Sequence, residues 1–164
     1  MPAFWSGKNF VLYVPDTHQY VRIAMPGENH DQVYVGRGGV AQRSDTFLYL
    51  EEVLQSGVPV KEDGKQLYYI RIAASKECLV AGDAYDHWVY FQLPRNRDNA
   101  KWIFEPVLDV GGKPVIYHRE ADQRDYPVYR IHDKVHKKYL SVNGPDYVGP
   151  LRHESEGSPW IQLL

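Results

Sequence analysis

Two stretches decide how this chain is read: Tyr69-Ile70-Arg71-Ile72-Ala73 and, 59 residues later, Val128-Tyr129-Arg130-Ile131-His132. Both are short, rich in β-branched and aromatic residues, and bounded by turn formers, which is strand chemistry. Working outward from them, Cys78-Leu79-Val80 lines up with Tyr139-Leu140-Ser141 at a shift of 61, and Lys101-Trp102-Ile103 with Pro159-Trp160-Ile161 at 58. The first third follows more loosely. Val11-Leu12-Tyr13-Val14 matches Tyr69 to Ile72, and Tyr20-Val21 matches Cys78-Leu79, both at 58; Thr46-Phe47-Leu48 matches Lys101-Trp102-Ile103 at 55. A near-constant period with a fixed order of elements marks an internal repeat.

Twelve strand runs follow: Phe10–Val14, Tyr20–Met25, Gln32–Gly36, Phe47–Val53, Leu67–Ala73, Glu77–Ala81, Trp88–Leu93, Lys101–Val107, Val128–His132, Lys138–Val142, Tyr147–Leu151 and Trp160–Leu164. Between them lie turn signals such as Pro26-Gly27, Gly82-Asp83, Gly111-Gly112 and Asn143-Gly144-Pro145. The best helical stretch, Tyr49 to Gln55, reaches at most about two turns before Gly57 and Pro59 end it. Twelve short strands in an open sheet would leave long edges, so closure into a barrel is expected. Phe47, Trp102 and Trp160 would then form one core layer, and Val21, Leu79 and Leu140 another.

The chain has 164 residues, enough for one domain with a real core. Its 19 basic and 21 acidic residues leave no electrostatic footprint for nucleic acid. No apolar run approaches the roughly 20 residues of a membrane span. The single cysteine, Cys78, cannot form an internal disulfide, and it sits in an apolar strand as an inert thiol. With no leader-like N-terminus, this predicts a cytoplasmic protein, or a secreted one whose leader has been removed.

The openings Gly64-Lys65-Gln66-Leu67-Tyr68-Tyr69-Ile70 and Tyr126-Pro127-Val128-Tyr129-Arg130-Ile131, with the closings Lys101-Trp102-Ile103-Phe104 and Pro159-Trp160-Ile161-Gln162, resemble the β-trefoil superfamily over nearly the whole chain. The resemblance implies an all-β fold: three four-stranded repeats, approximately 8–57, 64–110 and 113–164, forming a closed barrel with a hairpin cap in one domain, 1–164. Within the superfamily the chain looks like the ricin-B-like lectins, but departs from their Gln-x-Trp signature, with Ala100 and Ser158 two positions before Trp102 and Trp160. It also looks like the fungal trefoil protease inhibitors.

Two turns carry the chemistry of sugar recognition, which needs an aromatic face and groups that grip hydroxyls. Asp83, Asp86, His87 and Trp88 supply these in one turn; Asn143, Asp146 and Tyr147 supply them in the equivalent turn, with His153 after the next strand. The same residues would also make ordinary polar hairpin tips. Glu28-Asn29-His30-Asp31 occupies the same region of the first segment. His132 and His136 are four apart, but three lysines surround them, so no metal is expected. Enzyme motifs are missing. Arg119-Glu120-Ala121-Asp122-Gln123-Arg124-Asp125 reads as a solvated loop that could contact a protein.

The expectation is therefore a non-catalytic, lectin-like protein that binds glycans or glycoproteins without a cofactor. A trefoil protease inhibitor acting through Pro26–His30 and Pro94–Asn99 is the alternative, and a cytoskeletal or scaffold module the third reading.

Overall fold

The structure is a computed structural model and describes residues 7–38, 46–82, 87–93 and 97–164. The first four strands are β1 (Val11–Val14), β2 (Gln19–Arg22), β3 (Tyr34–Arg37) and β4 (Leu48–Glu52). Two tight hairpins follow: β5 (Leu54–Gln55) with β6 (Val58–Pro59), then β7 (Lys61–Glu62) with β8 (Lys65–Gln66). Next come β9 (Tyr68–Ile72), β10 (Cys78–Ala81), β11 (Val89–Gln92) and β12 (Trp102–Pro106). A third added hairpin pairs β13 (Ile116–Arg119) with β14 (Arg124–Pro127). The chain finishes with β15 (Tyr129–Asp133), β16 (Tyr139–Ser141), β17 (Arg152–Glu154) and β18 (Ile161–Leu163).

Six strands form a wall that is nearly closed. β1 pairs with β18, β4 with β9 and β12 with β15, all antiparallel. Bridges between Phe10 and Leu48, Tyr68 and Trp102, and Tyr129 and Trp160 join these pairs edge to edge. The hairpins β2–β3, β10–β11 and β16–β17 meet through bridges at Gln32–Tyr90, Tyr34–Pro150 and Trp88–Arg152. Barrel closure leaves few free edges, the physical demand that the short strands set.

The main core fills the wall. Leu12, Ile70 and Ile131 have no exposed surface, and Val21, Leu79 and Leu140 are buried in the same cluster. Trp102 and Trp160 do the same work at two places: each indole N–H donates to a buried carbonyl, of Leu79 at 2.9 Å and of Leu140 at 3.1 Å. Their partner in that layer is Leu48, 1% exposed, and not Phe47. Phe47 faces the other way, half-buried against a second cluster outside the wall. Side chains alternate along a strand, so the one-residue slip in the expected alignment reversed the face.

Three other expectations change. Tyr49–Gln55 is not helical: Leu48–Glu52 pair with β9, because cross-strand partners outweigh a weak local preference. The strand expected at Tyr147–Leu151 lies later, at Arg152–Glu154, since the Tyr147 hydroxyl turns back to the Pro150 carbonyl at 2.7 Å and Pro150 has no N–H for a ladder. The charged stretch 119–125 is the tip of the β13–β14 hairpin, not a loose loop. Among the described residues no helix is long and apolar enough to cross a membrane.

The added hairpins are fixed to the wall by one recurring device. Val107 N–H donates to the Val128 carbonyl, Val128 to Val115 and Val115 to Val107, at 2.9, 3.2 and 2.8 Å. Val53, Leu67 and Val60 make the same triangle at 3.1, 3.1 and 2.8 Å.

Candidate functional site

The β13–β14 hairpin has alternating faces, as its sequence dictates. Tyr117 packs inward on the cluster of Val11, Tyr13, Tyr126 and Ile161, while Ile116 and His118 point outward. Its tip therefore stands beside the β1–β2 turn, and a cleft of about 870 Å³ opens between them. That volume lies in the range that encloses ligands larger than a single small ion. Tyr13, Tyr117 and His18 supply rings at one side. Arg37, Asp146 and Val148 close the other, and His118, Arg119 and Glu120 form the hairpin rim.

Each polar group is held from behind. The Tyr13 hydroxyl lies 2.5 Å from His18 Nδ1. Burial first, and then the neighbouring Tyr117, raise the Tyr13 phenol above its ordinary value while Arg119 opposes, so it stays a donor at neutral pH. His118 Nδ1 bonds Asp125 at 2.7 Å, which raises its affinity for a proton; Glu120, 3.8 Å away, adds to this. Arg119 pairs with Asp122 at 3.1 Å. Burial would raise Asp122, but the Tyr126 hydroxyl at 2.6 Å, the Arg124 N–H and Arg119 outweigh it and keep the carboxylate ionised.

The opposite rim is the turn after β16. Asp146 pairs with Arg37 at 3.0 Å, both well exposed. Gln19, fully buried, donates its side-chain N–H to the carbonyls of Gly144 at 2.8 Å and Tyr147 at 3.2 Å. Nothing in the sequence singled out Gln19: a polar residue inside the strand run Gln19–Arg22 looks outward-facing until its partner 125 residues away is known. The cleft thus offers phenolic and cationic donors, carboxylate acceptors and aromatic rings, which suits a hydroxyl-rich ligand.

The residues expected from sequence fall into two groups. Asp146 lines the cleft; Asn143 is exposed on the same turn, and Tyr147 packs against the main core. Trp88 lies elsewhere, bridged to Arg152, whose guanidinium sits 5.1 Å from the indole centroid and covers the face a sugar would need. His87 is exposed, and its carbonyl accepts the His153 N–H at 2.8 Å. Asp83 and Asp86 lie outside the described residues. His153 does not face solvent. It is wholly buried, with Nε2 donating to the equally buried Asp133 at 2.7 Å. A histidine in a short strand has no sequence mark that separates a core pair from a surface ligand.

Two further expectations can be placed. The 26–30 loop is tied down: Arg22 holds Glu28 at 2.6 Å, and this hydrogen bond brings the Glu28 carboxyl down to about 2. Of the second loop, 94–96 lie outside the described residues, and Asn99 donates to the Ala81 carbonyl at 3.0 Å. Cys78 is buried, and desolvation pushes its thiol up to about 11. A disulfide exchange reagent at pH 8 should leave native protein unlabelled and label one thiol after unfolding; rapid labelling of native protein would show the thiol exposed.

No family model matches the chain. A curated relative, a "GM1b/asialo-GM1 oligosaccharide-binding R-type lectin" of Mytilisepta virgata, is 26% identical over 113 residues, covering 62% of this chain and 86% of the relative. Among solved structures, the Polyporus squamosus lectin bound to a human-type influenza-binding epitope superposes with a TM-score of 0.63 at 14% identity. That match covers 96% of this chain but 49% of the lectin, so the chain spans about half its length. The BEL β-trefoil superposes with a TM-score of 0.63 at 15% identity, covering 100% of this chain and 97% of BEL. With its nearly closed six-stranded wall and three capping hairpins, the chain has the β-trefoil fold.

Proposed function

We propose that this chain is a non-catalytic carbohydrate-binding β-trefoil, with repeats at approximately 8–57, 64–110 and 113–164, and that the cleft between the β13–β14 tip and the β1–β2 turn takes the glycan. The observation that carries the reading is the lining: Tyr13, Tyr117, His18, Arg37 and Asp146 set rings beside hydroxyl-gripping groups in one recess. The R-type lectin relative and the Polyporus lectin support it; the protease-inhibitor alternative draws no support from them. Asn143 and Asp146 are proposed rim contacts. The turn containing Asp83, Asp86, His87 and Trp88 is a separate contact, which needs Arg152 to leave the indole face.

A glycan array with labelled, folded protein tests this. Coherent hits sharing a sugar are expected. Tyr117→Ala and Arg37→Ala should each weaken binding to the best hit about tenfold, about 1.4 kcal/mol, with an unchanged circular dichroism spectrum. A blank array from folded protein overturns the reading.

A further inference from the structure

A second, smaller recess lies at the place on the wall that corresponds to the cleft. Three backbone correspondences fix its position. The triangle at Val53, Val60 and Leu67 repeats that at Val107, Val115 and Val128, so the β7–β8 hairpin springs from the wall as β13–β14 does. Tyr13 pairs across to Tyr20 as His132 pairs across to Tyr139. His18 and Lys137 share the left-handed backbone conformation at φ 54° and 53°, each just before the returning strand. His132 and Lys137 therefore occupy the places of Tyr13 and His18, and the β7–β8 turn takes the place of the β13–β14 tip. The recess between them measures about 150 Å³.

Its lining is polar and interlocked. Glu105 is the centre: His132 Nε2 lies 2.7 Å from one carboxylate oxygen and Lys65 Nζ 3.5 Å from the same oxygen, while the Tyr139 hydroxyl donates to the other at 3.4 Å. His132 is almost wholly buried, and its Nδ1 bonds the Asp133 carbonyl, so the ring cannot swing away. Glu62 and Lys137 stand at the mouth. At the third corresponding place, Arg71 folds back onto its own turn, donating to the Lys76 carbonyl at 2.9 Å and to Glu51 at 2.7 Å.

We propose that this recess is a second ligand site, and that it takes a single neutral hexose unit. The inference rests on the carbohydrate reading above. Space decides the class: about 150 Å³ admits one ring, not a chain. Charge decides the rest. Two lysines face two glutamates, which leaves no excess of either sign for an ionic ligand, while carboxylate, ammonium and phenol beside one ring match vicinal hydroxyls. The protein then carries two unequal sites on different sides of the barrel wall, and can link two glycan ends.

Amide NMR titration with methyl β-galactoside and methyl β-glucoside tests this. Two separable sets of shifted amides are expected for one of the sugars, one around 117–121 and one around 62–65 and 137–139. Tyr117→Ala should abolish only the first set. Glu105→Gln should abolish only the second, raising its Kd more than tenfold, and Lys65→Ala should weaken it if the Glu105 variant folds poorly. Shifts confined to the first set overturn the second site and leave the carbohydrate reading standing. Shifts in neither set overturn the second site, and the glycan array then separately decides the reading.

Discussion

Asp133→Ala should cost about 3–5 kcal/mol of folding stability, because it breaks a buried pair and strands donors that water cannot reach. The carboxylate accepts the His153 ring N–H and also the backbone N–H groups of Val135, His136 and Lys138, at 3.1, 2.7 and 3.0 Å. It is the knot that ties the turn after β15 to β17. Urea unfolding of the two proteins at pH 7 measures the loss, and a cost below about 1 kcal/mol would show the knot to be dispensable. The pair also sets a pH dependence. Burial alone would raise the Asp133 carboxyl, but the hydrogen bonds from His153 and the backbone outweigh it, and the net direction is down. Its stabilising contribution is therefore complete above the unfolded carboxylate value of about 4, and fades as pH falls through the lower folded value. The isosteric Asp133→Asn protein should lose less stability than wild type between about pH 4 and pH 2.

Trp160→Ala should cost a similar amount, about 3–5 kcal/mol, and lower the melting temperature by about 10 °C. The indole has no exposed surface, and its loss leaves a cavity and orphans the Leu140 carbonyl. Trp102→Ala serves as the internal comparison: the same side chain bonds the Leu79 carbonyl, so the two losses should agree within about 1 kcal/mol. Phe47→Ala, on the outer face, should cost clearly less. If Phe47 proved as costly as Trp160, the assignment of faces in that strand would be wrong.

Much of the barrel was legible because its strands announce themselves. Leu12, Ile70, Ile131, Trp102 and Trp160 belong to runs of apolar, β-rich residues that only a buried strand explains. Alignment of the runs was good where an indole or a turn anchored it, and slipped by one at Phe47, where adjacent apolar residues offered two registers. The site was less legible. Its rim hairpin is written in charge: Arg119, Glu120, Asp122, Arg124 and Asp125 look like solvated chain, and only the pairing His118–Asp125 and Arg119–Arg124 makes them a strand pair. Asp146 was visible as a turn carboxylate beside an aromatic. Tyr13 and His18 were not, because their meeting with a hairpin about 100 residues away is a property of the closed barrel. His153 marks the opposite error, a ligand-type residue spent inside on Asp133.

The pairing of β1 with β18 reaches beyond stability. Val11 and Leu163 face each other although 152 residues separate them, so the wall cannot shut until the last strand has been made. Contacts this remote must overcome a large loss of chain freedom before they return anything, and they slow the search for the native state. Assembly should accordingly be late, concerted and on the scale of milliseconds to seconds, with β1 left waiting as an unmatched edge on the ribosome. A nascent chain halted before Trp160 would present that edge to its neighbours, which makes the interval before completion the time of greatest exposure to aggregation.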